Sequence, residues 1–582
     1  MSTADDKDWY ELPFATAATR LVDIRNELRQ KNLHDTQEPP LETSTAPAPP
    51  EAHATRTNDG TYNDLKCPRM GSAGVRFGRN VPLSETFPDT ANLMNPNPRT
   101  VSLELLTRTT FQPAEIINVL AAAWIQFQVH DWFMHRKGAW SHTHDIPVAD
   151  GDTWPDRPMR VPVTPADTPK VDPSTRPPAY TNENSHWWDG SQVYGSTTAQ
   201  QAGLRLGRDG KVLVGTNGKL GLDPISGLPV TGFTENFWVG LHLLHGLFAL
   251  EHNAICDMLK KNNPLWDDER LFQTARLVNA ALLAKIHTVE WTPAILPNPV
   301  TKSALRTNWH GLLGGLQKVI TGLNDNELLG GIPGSATDHH TAPYSLTEEF
   351  TSVYRMHPLM PDDYTVRSLK TGAEVAKFTL PEMSGRAGQA VLDRFDCADL
   401  LYSFGTAYPG AVRLHNYPKH LQNLVLDNGE RFDLGTVDIL RDRERGVPRY
   451  NRFRELFHKP AVKSFDELSD NPTWNEELRR VYQNDLSKVD LMVGLMCEPL
   501  PKGFGFSETA FRVFILMASR RLKSDRFLSK DYRPEIYTKK GFEWVEETSM
   551  IDVLKRHYPA LGPALKDVES AFHPWKKVGG SK

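Results

Sequence analysis

PAEIINVLAAAWIQFQVHDWFM, residues 113–134, decides the fold class. Its apolar residues cover nearly every side of a helical wheel, so the stretch reads as a helix buried all round. Residues 236–260 and 267–290 carry helical periodicity. Residues 345–357 open on Ser345-x-x-Glu348, a capping-box pattern, and stop at Pro358. Residues 509–527 read as another apolar helix ending in basic residues, and a short amphipathic helix lies near 16–30. Alternating strand patterns are few, so the expected fold is mainly α with few short strands. A single large domain is expected over 61–582. Residues 1–60 are expected to hold an N-terminal helix and a mobile arm, the Pro- and Ala-rich stretch 37–60. A second proline-rich stretch, 154–178, reads as a long loop.

A chain of 582 residues can bury a large core. Its net charge of -5 is small for that size and no long basic run occurs, which argues against nucleic-acid binding. The four cysteines, Cys67, Cys256, Cys397 and Cys497, are far apart and form no CxxC, so neither a disulfide framework nor a zinc site is expected. The charged N-terminus has no apolar signal stretch, and there is no glycosylation sequon. Both features predict a cytoplasmic, reducing setting. No apolar run is long enough to span a bilayer, while peripheral contact with a membrane needs only an apolar patch and stays open.

Several local patterns bear chemistry. Gln126 and His130 are four apart and project from one face of the buried helix, where polar groups need partners. A histidine so placed is either a satisfied core residue or one that moves protons beside a cofactor. Tyr354 and His357 are three apart, and the same alternatives apply: simple packing at a helix end, or an iron ligand with an oxidisable phenol beside the same ring. Ser185, Asp189 and Ser191 offer oxygen atoms in a short loop, with Asp131 able to complete a set suited to a hard cation; such stretches are more commonly Asx turns. HTVEWT (287–292) and the Arg520–Arg521 pair place polar or cationic groups among apolar residues, where arginine could grip a carboxylate or merely complement a helix dipole.

The order of these segments is more specific than any one of them. IQFQVHDW (125–132), SHWWDGSQVYG (185–195), LEHNAICDML (250–259), WDDERLFQTARL (266–277), HTVEWT, SLTEEFTSVYRMHPLMPD (345–362), RDRERGVPRYN (441–451) and FILMASRRLKSDRF (514–527) resemble the animal-type haem peroxidase and cyclooxygenase superfamily. Within it they are most similar to the fatty acid α-dioxygenases, over nearly the whole chain from about Asp64. The resemblance implies a haem-peroxidase-like helical domain. It implies His357 as proximal iron ligand, His130 as distal histidine with Gln126 as its neighbour, and Tyr354 as the radical tyrosine. It implies calcium held by Asp131, Ser185, Trp187 (through its carbonyl), Asp189 and Ser191. It places His287, Thr292 and Arg521 at a fatty-acid carboxylate, with Arg520 adjacent and able to share that role. Arg441 matches a propionate-facing arginine. Asp438 stands where related peroxidases have an asparagine behind the proximal histidine, which would make the imidazole more basic.

The departures narrow the chemistry. Secreted peroxidases of this type have an aspartate before the distal histidine, where this chain has Val129. Their catalytic arginine and ester-forming glutamate are replaced by Thr234 and Phe237. Haem b is therefore expected to be non-covalent, and peroxide turnover is not expected to be the main activity. Ser185 stands in place of a threonine and keeps the hydroxyl. The expected reaction is removal of an α-hydrogen by a Tyr354 radical and addition of O2, giving a 2-hydroperoxy acid able to decarboxylate to an aldehyde one carbon shorter. A cyclooxygenase-like attack at mid-chain, a peroxidase and a non-catalytic haem scaffold are the competing readings. The expected partners are the fatty acid and O2, with no obligate protein partner.

Overall fold

The computed structural model describes residues 7–167, 175–314 and 326–578. Seven helices build the site. α1 (Phe14–Lys31) precedes α2 (Val119–Trp132), α3 (Val239–Asn262) and α4 (Asp268–Ile286). α5 (Glu348–Val353), α6 (Leu434–Glu444) and α7 (Glu508–Ser524) follow. The strands described form three separate antiparallel pairs, so the mainly α expectation holds.

α2 is the buried helix that the composition of 113–134 predicts, although it starts later. Asn118 caps it by accepting from the Ala121 amide, and the same side chain donates to the Ala571 and His573 carbonyls, fixing the C-terminal segment on the helix start. All its residues from Val119 to Trp132 are buried except Gln126 and Val129, which are half-buried. α3 packs against α2 and α4 against α3, while α5 packs on α7.

Two expectations need correction. The Ser345 capping box does not form: the cap of α5 is Thr347, whose hydroxyl accepts from the Phe350 amide. The helix then ends at Val353, Tyr354 is its C-cap, and His357 opens a separate 3-10 turn, so the two residues do not share one helix face. The 37–60 arm is anchored toward its end, at Ala52 and Arg56. Arg56 is buried in ion pairs with Asp189 and Asp525, and Arg526 binds the Ala52 carbonyl. α1 is also part of the main core, through Leu21, Ile24 and Leu28, and Trp9 before it donates to Glu508 of α7. The 154–178 stretch holds a strand, Met159–Pro162, paired with Thr143–Ile146; residues 168–174 lie outside the described part.

Candidate active site

His357 is set by α6. Its Nδ1 is buried and lies 2.8 Å from Oδ2 of Asp438, one turn into that helix, while 32% of the side chain is accessible. The accessible part is therefore the opposite edge of the ring, which carries Nε2. Tyr417 donates to the same Asp438 oxygen at 3.0 Å, and Arg355 binds the Asp438 carbonyl. Burial alone would raise the Asp438 pKa, but His357, Arg355 and Tyr417 together hold it below the usual carboxylate value. A carboxylate beside Nδ1 favours the proton there and leaves the Nε2 lone pair free, the arrangement of a metal-ligating histidine.

His130 differs. It is buried against the Phe233 ring at 4.2 Å, its Nδ1 has no hydrogen-bond partner among the described residues, and burial lowers its pKa to about 3. A neutral imidazole can take up and return a proton. Gln126, one turn earlier, accepts from the Trp238 indole at 2.8 Å and donates to the Asn236 carbonyl. Its amide is thereby fixed as part of the wall. An accessible, carboxylate-backed imidazole and a buried imidazole with an orphaned nitrogen fit what a haem requires of its two sides.

Tyr354 stands in an aromatic box. Its ring lies 4.4 Å from Phe514, 4.7 Å from Phe350 and 5.1 Å from Trp132, and its hydroxyl has no hydrogen-bond partner among the described residues. Burial raises its pKa well above 10, so the phenol keeps its proton. Trp132 joins this tyrosine to the next group of residues. The Arg521 guanidinium lies 4.2 Å from Trp132 and 4.2 Å from Trp188, in the corner formed by the two nearly perpendicular rings. Arg521 is 1% exposed, and its Nε and one terminal nitrogen have no partner among the described residues. No carboxylate pairs with it directly, although Asp131 is near enough to interact with its charge, and its open donors suit a further carboxylate.

His287 completes the group. It sits 5.1 Å from Trp132 in a π-helical turn, His287–Trp291, that follows α4. The Trp124 indole donates to its Nδ1 at 3.3 Å. Indole nitrogen only donates, so the His287 proton is on Nε2, where it can serve an anion. Burial and the nearby Arg521 keep this imidazole neutral. The Thr292 hydroxyl donates to the His287 carbonyl at 2.8 Å and so shapes the turn. Arg520 points elsewhere: its donors meet the carbonyls of His339, Ala342, Pro343 and Ser345. Arg441 is engaged by Glu444 and the Pro162 carbonyl.

The residues expected to hold calcium are buried and close-knit. Ser185 donates to Asp189, the Ser191 amide donates to Asp131, and the Ser191 hydroxyl is buried without a partner among the described residues. The Trp187 main-chain amide meets Ser185, and its indole is held by the Met70 carbonyl. Among the described residues no cluster of three or more His, Cys, Asp or Glu could hold a metal, so any ion here relies on hydroxyl and carbonyl oxygens as well as Asp131 and Asp189. Arg56, at 3.0 Å from Asp189, competes for that carboxylate.

Reading the sequence alone missed Trp132 and Trp188 as the walls around Arg521, although both lie beside quoted motif residues. It also missed Tyr417 and Arg355 behind His357. The signal for all four is tertiary.

The chain is similar to several known proteins. Residues 55–568 match the animal haem peroxidase family. Alpha-dioxygenase PIOX of Oryza sativa subsp. japonica is 39% identical over 548 residues, covering 90% of this chain and 87% of that protein. The crystal structure of fatty acid alpha-dioxygenase from Arabidopsis thaliana superposes with a TM-score of 0.92 at 35% identity, covering 99% of this chain and 92% of that one. A tyrosine-to-phenylalanine variant of the Oryza sativa fatty acid alpha-dioxygenase, solved with palmitic acid, gives 0.91 at 36% identity, covering 98% and 94%.

Proposed function

The chain belongs to the animal haem peroxidase family, on its α-dioxygenase branch, and from that premise we propose that it is a haem-dependent fatty acid α-dioxygenase acting through Tyr354. The observation that carries this reading is Arg521: a buried guanidinium with open donors, one aromatic ring away from a buried phenol whose hydroxyl is free.

Haem b supplies the one-electron oxidising power. His357 would bind its iron through Nε2, with Asp438 orienting the ring from Nδ1, and Val129 and Phe237 leave no carboxylate at the positions where related proteins form ester links. His130 would take up and return a proton beside the haem, Gln126 holds the wall behind it, and Arg441 would pair with a propionate. The fatty-acid carboxylate pairs with Arg521 and accepts from Nε2 of His287, while Thr292 fixes the turn carrying His287. Arg520, saturated by carbonyls, does not share the anion.

Anchoring the head group next to Tyr354 brings the α-carbon, rather than a mid-chain carbon, to the phenol. Tyr354 gives up an electron and its phenolic proton, and the resulting tyrosyl radical takes one hydrogen atom from the α-carbon. O2 adds to the carbon radical, and the peroxyl takes a hydrogen atom back from Tyr354. The product is a 2-hydroperoxy acid, which can lose carbon dioxide to give an aldehyde one carbon shorter. Calcium held by Asp131, Ser185, Trp187, Asp189 and Ser191 would brace the end of α2 next to His130. No helix among the described residues is long and apolar enough to cross a membrane. All four cysteines are free thiols, in keeping with a reducing setting.

The test is Tyr354→Phe. Oxygen uptake with a fatty acid should vanish while the haem spectrum is unchanged; full activity would contradict the radical assignment. His357→Ala should lose haem, and normal haem content would contradict the ligation.

A further inference from the structure

Arg521, the carboxylate anchor of the proposed function, also stacks on two tryptophans, and this bears on the fate of a radical at Tyr354. The inference rests on Tyr354 being the radical site. A phenoxyl radical can be lost to any neighbouring ring of similar oxidation potential. Among the described residues the rings in contact with Tyr354 are Trp132, Phe133, Phe350 and Phe514. Phenylalanine is far too hard to oxidise, so Trp132 is the one exit among them, and it leads on to Trp188, 5.4 Å away.

That exit transfer moves one electron and one proton from the indole to the phenoxyl oxygen. Tyr354 is restored as a neutral phenol, and Trp132 is left as a neutral indolyl radical. If only the electron moves, Trp132 becomes a radical cation and Tyr354 a phenolate. Each route meets its own obstacle, the electron-only route first. The Arg521 guanidinium stands 4.2 Å from each tryptophan ring, so withdrawing an electron from either forfeits the cation–π attraction and sets positive charge against positive charge in a dry site. Nε1 of Trp132 and Nε1 of Trp188 are also buried without any acceptor among the described residues, so no hydrogen bond carries the indole proton toward the phenoxyl oxygen.

We propose that Arg521, besides binding the carboxylate, confines the radical to Tyr354 by making Trp132 and Trp188 resistant to oxidation. A desolvated cation–π contact shifts such an equilibrium by roughly ten- to thirtyfold.

The experiment treats haem-loaded protein with an organic hydroperoxide, without fatty acid. The radical is read by electron paramagnetic resonance, and Trp132 oxidation by peptide mass spectrometry. The wild type should show a tyrosyl signal, absent in Tyr354→Phe, and an unmodified Trp132. Arg521→Gln should show a tryptophanyl signal and at least a roughly tenfold rise in oxygen added to the Trp132 peptide. Both changes should disappear in Arg521→Gln combined with Trp132→Phe, and Arg521→Lys should behave as the wild type. Arg521→Met, which keeps the apolar stem, serves where the glutamine variant holds no haem. An unmodified Trp132 and a purely tyrosyl signal in the charge-free variant would overturn the confinement. A tyrosyl signal that survives Tyr354→Phe would instead overturn the radical assignment beneath it.

Discussion

Nδ1 of His357 lies 2.8 Å from a carboxylate oxygen of Asp438, and that oxygen also accepts from Tyr417. The carboxylate therefore orients the imidazole and favours the tautomer that leaves its other nitrogen free. Asp438→Asn keeps the shape but removes the charge. Loss of such a supporting partner typically costs roughly 10- to 100-fold in metal affinity or activity. Haem titration and oxygen uptake should both show the loss, together with a higher haem reduction potential. An unchanged potential would mean that Asp438 does not tune the ligand.

Arg521 and Arg520 should separate cleanly. Arg521→Gln removes a charge-assisted pair worth about 1.5–3 kcal/mol, so kcat/KM for a fatty acid should fall by roughly ten- to a hundredfold. Arg520→Ala instead frees the carbonyls of the 339–345 loop, and its expected effect is a lower Tm. Thermal melts beside substrate titrations distinguish the two; a selective loss of substrate affinity in Arg520→Ala would reverse the assignment.

Glu348 opens the helix that ends on Tyr354. Burial would raise its pKa from 4.5, but His135, Arg445 and Arg79 bring it down to about 2. A carboxylate whose pKa is lowered on folding stabilises the fold above its unfolded value and loses that stabilisation as pH falls through the folded one. The contribution should thus fade between pH 4.5 and 2; burial holds the His135 pKa down to about 4, so at pH 7 that imidazole is neutral and the charge partners are Arg445 and Arg79. In denaturant titrations Glu348→Gln should be the less stable protein at pH 7, with the gap closing over that acid window. A gap independent of pH would contradict the ion-pair origin.

Calcium should act through stability before chemistry. If Asp131, Ser185, Asp189 and Ser191 take up the ion, a chelator should lower Tm and added calcium should restore it. Ser191→Ala removes the hydroxyl of the set that is buried without a partner among the described residues, and it should weaken the calcium response. A Tm indifferent to both chelator and calcium would leave Arg56 as the cation at Asp189.

What the sequence disclosed follows from how local each signal is. The burial of α2 was legible because apolar residues on every side leave no face for water. His357, Tyr354 and Asp438 were legible through motif order, and the last was recognised by a departure from it. The direction of the two arginines was not. Consecutive helical residues point about 100° apart, so one of Arg520 and Arg521 had to face away, but only packing against Trp132 and Trp188 decides which. The pinning of the 37–60 arm was hidden for a similar reason. Its proline content predicts an extended chain, while Arg56 finds its partners at Asp189 and Asp525, far along the sequence. The Ser345 box failed because the Thr347 hydroxyl lies closer to the first turn and takes the capping position.

The central claim is that carboxylate anchoring at Arg521 directs Tyr354 to the α-carbon. Oxygen uptake with palmitate, followed by product mass, tests it most directly, because a saturated acid has no activated mid-chain hydrogen. The account predicts rapid uptake with 2-hydroperoxypalmitate and pentadecanal as products. No uptake with palmitate, alongside mid-chain oxygenation of a polyunsaturated acid, would contradict it.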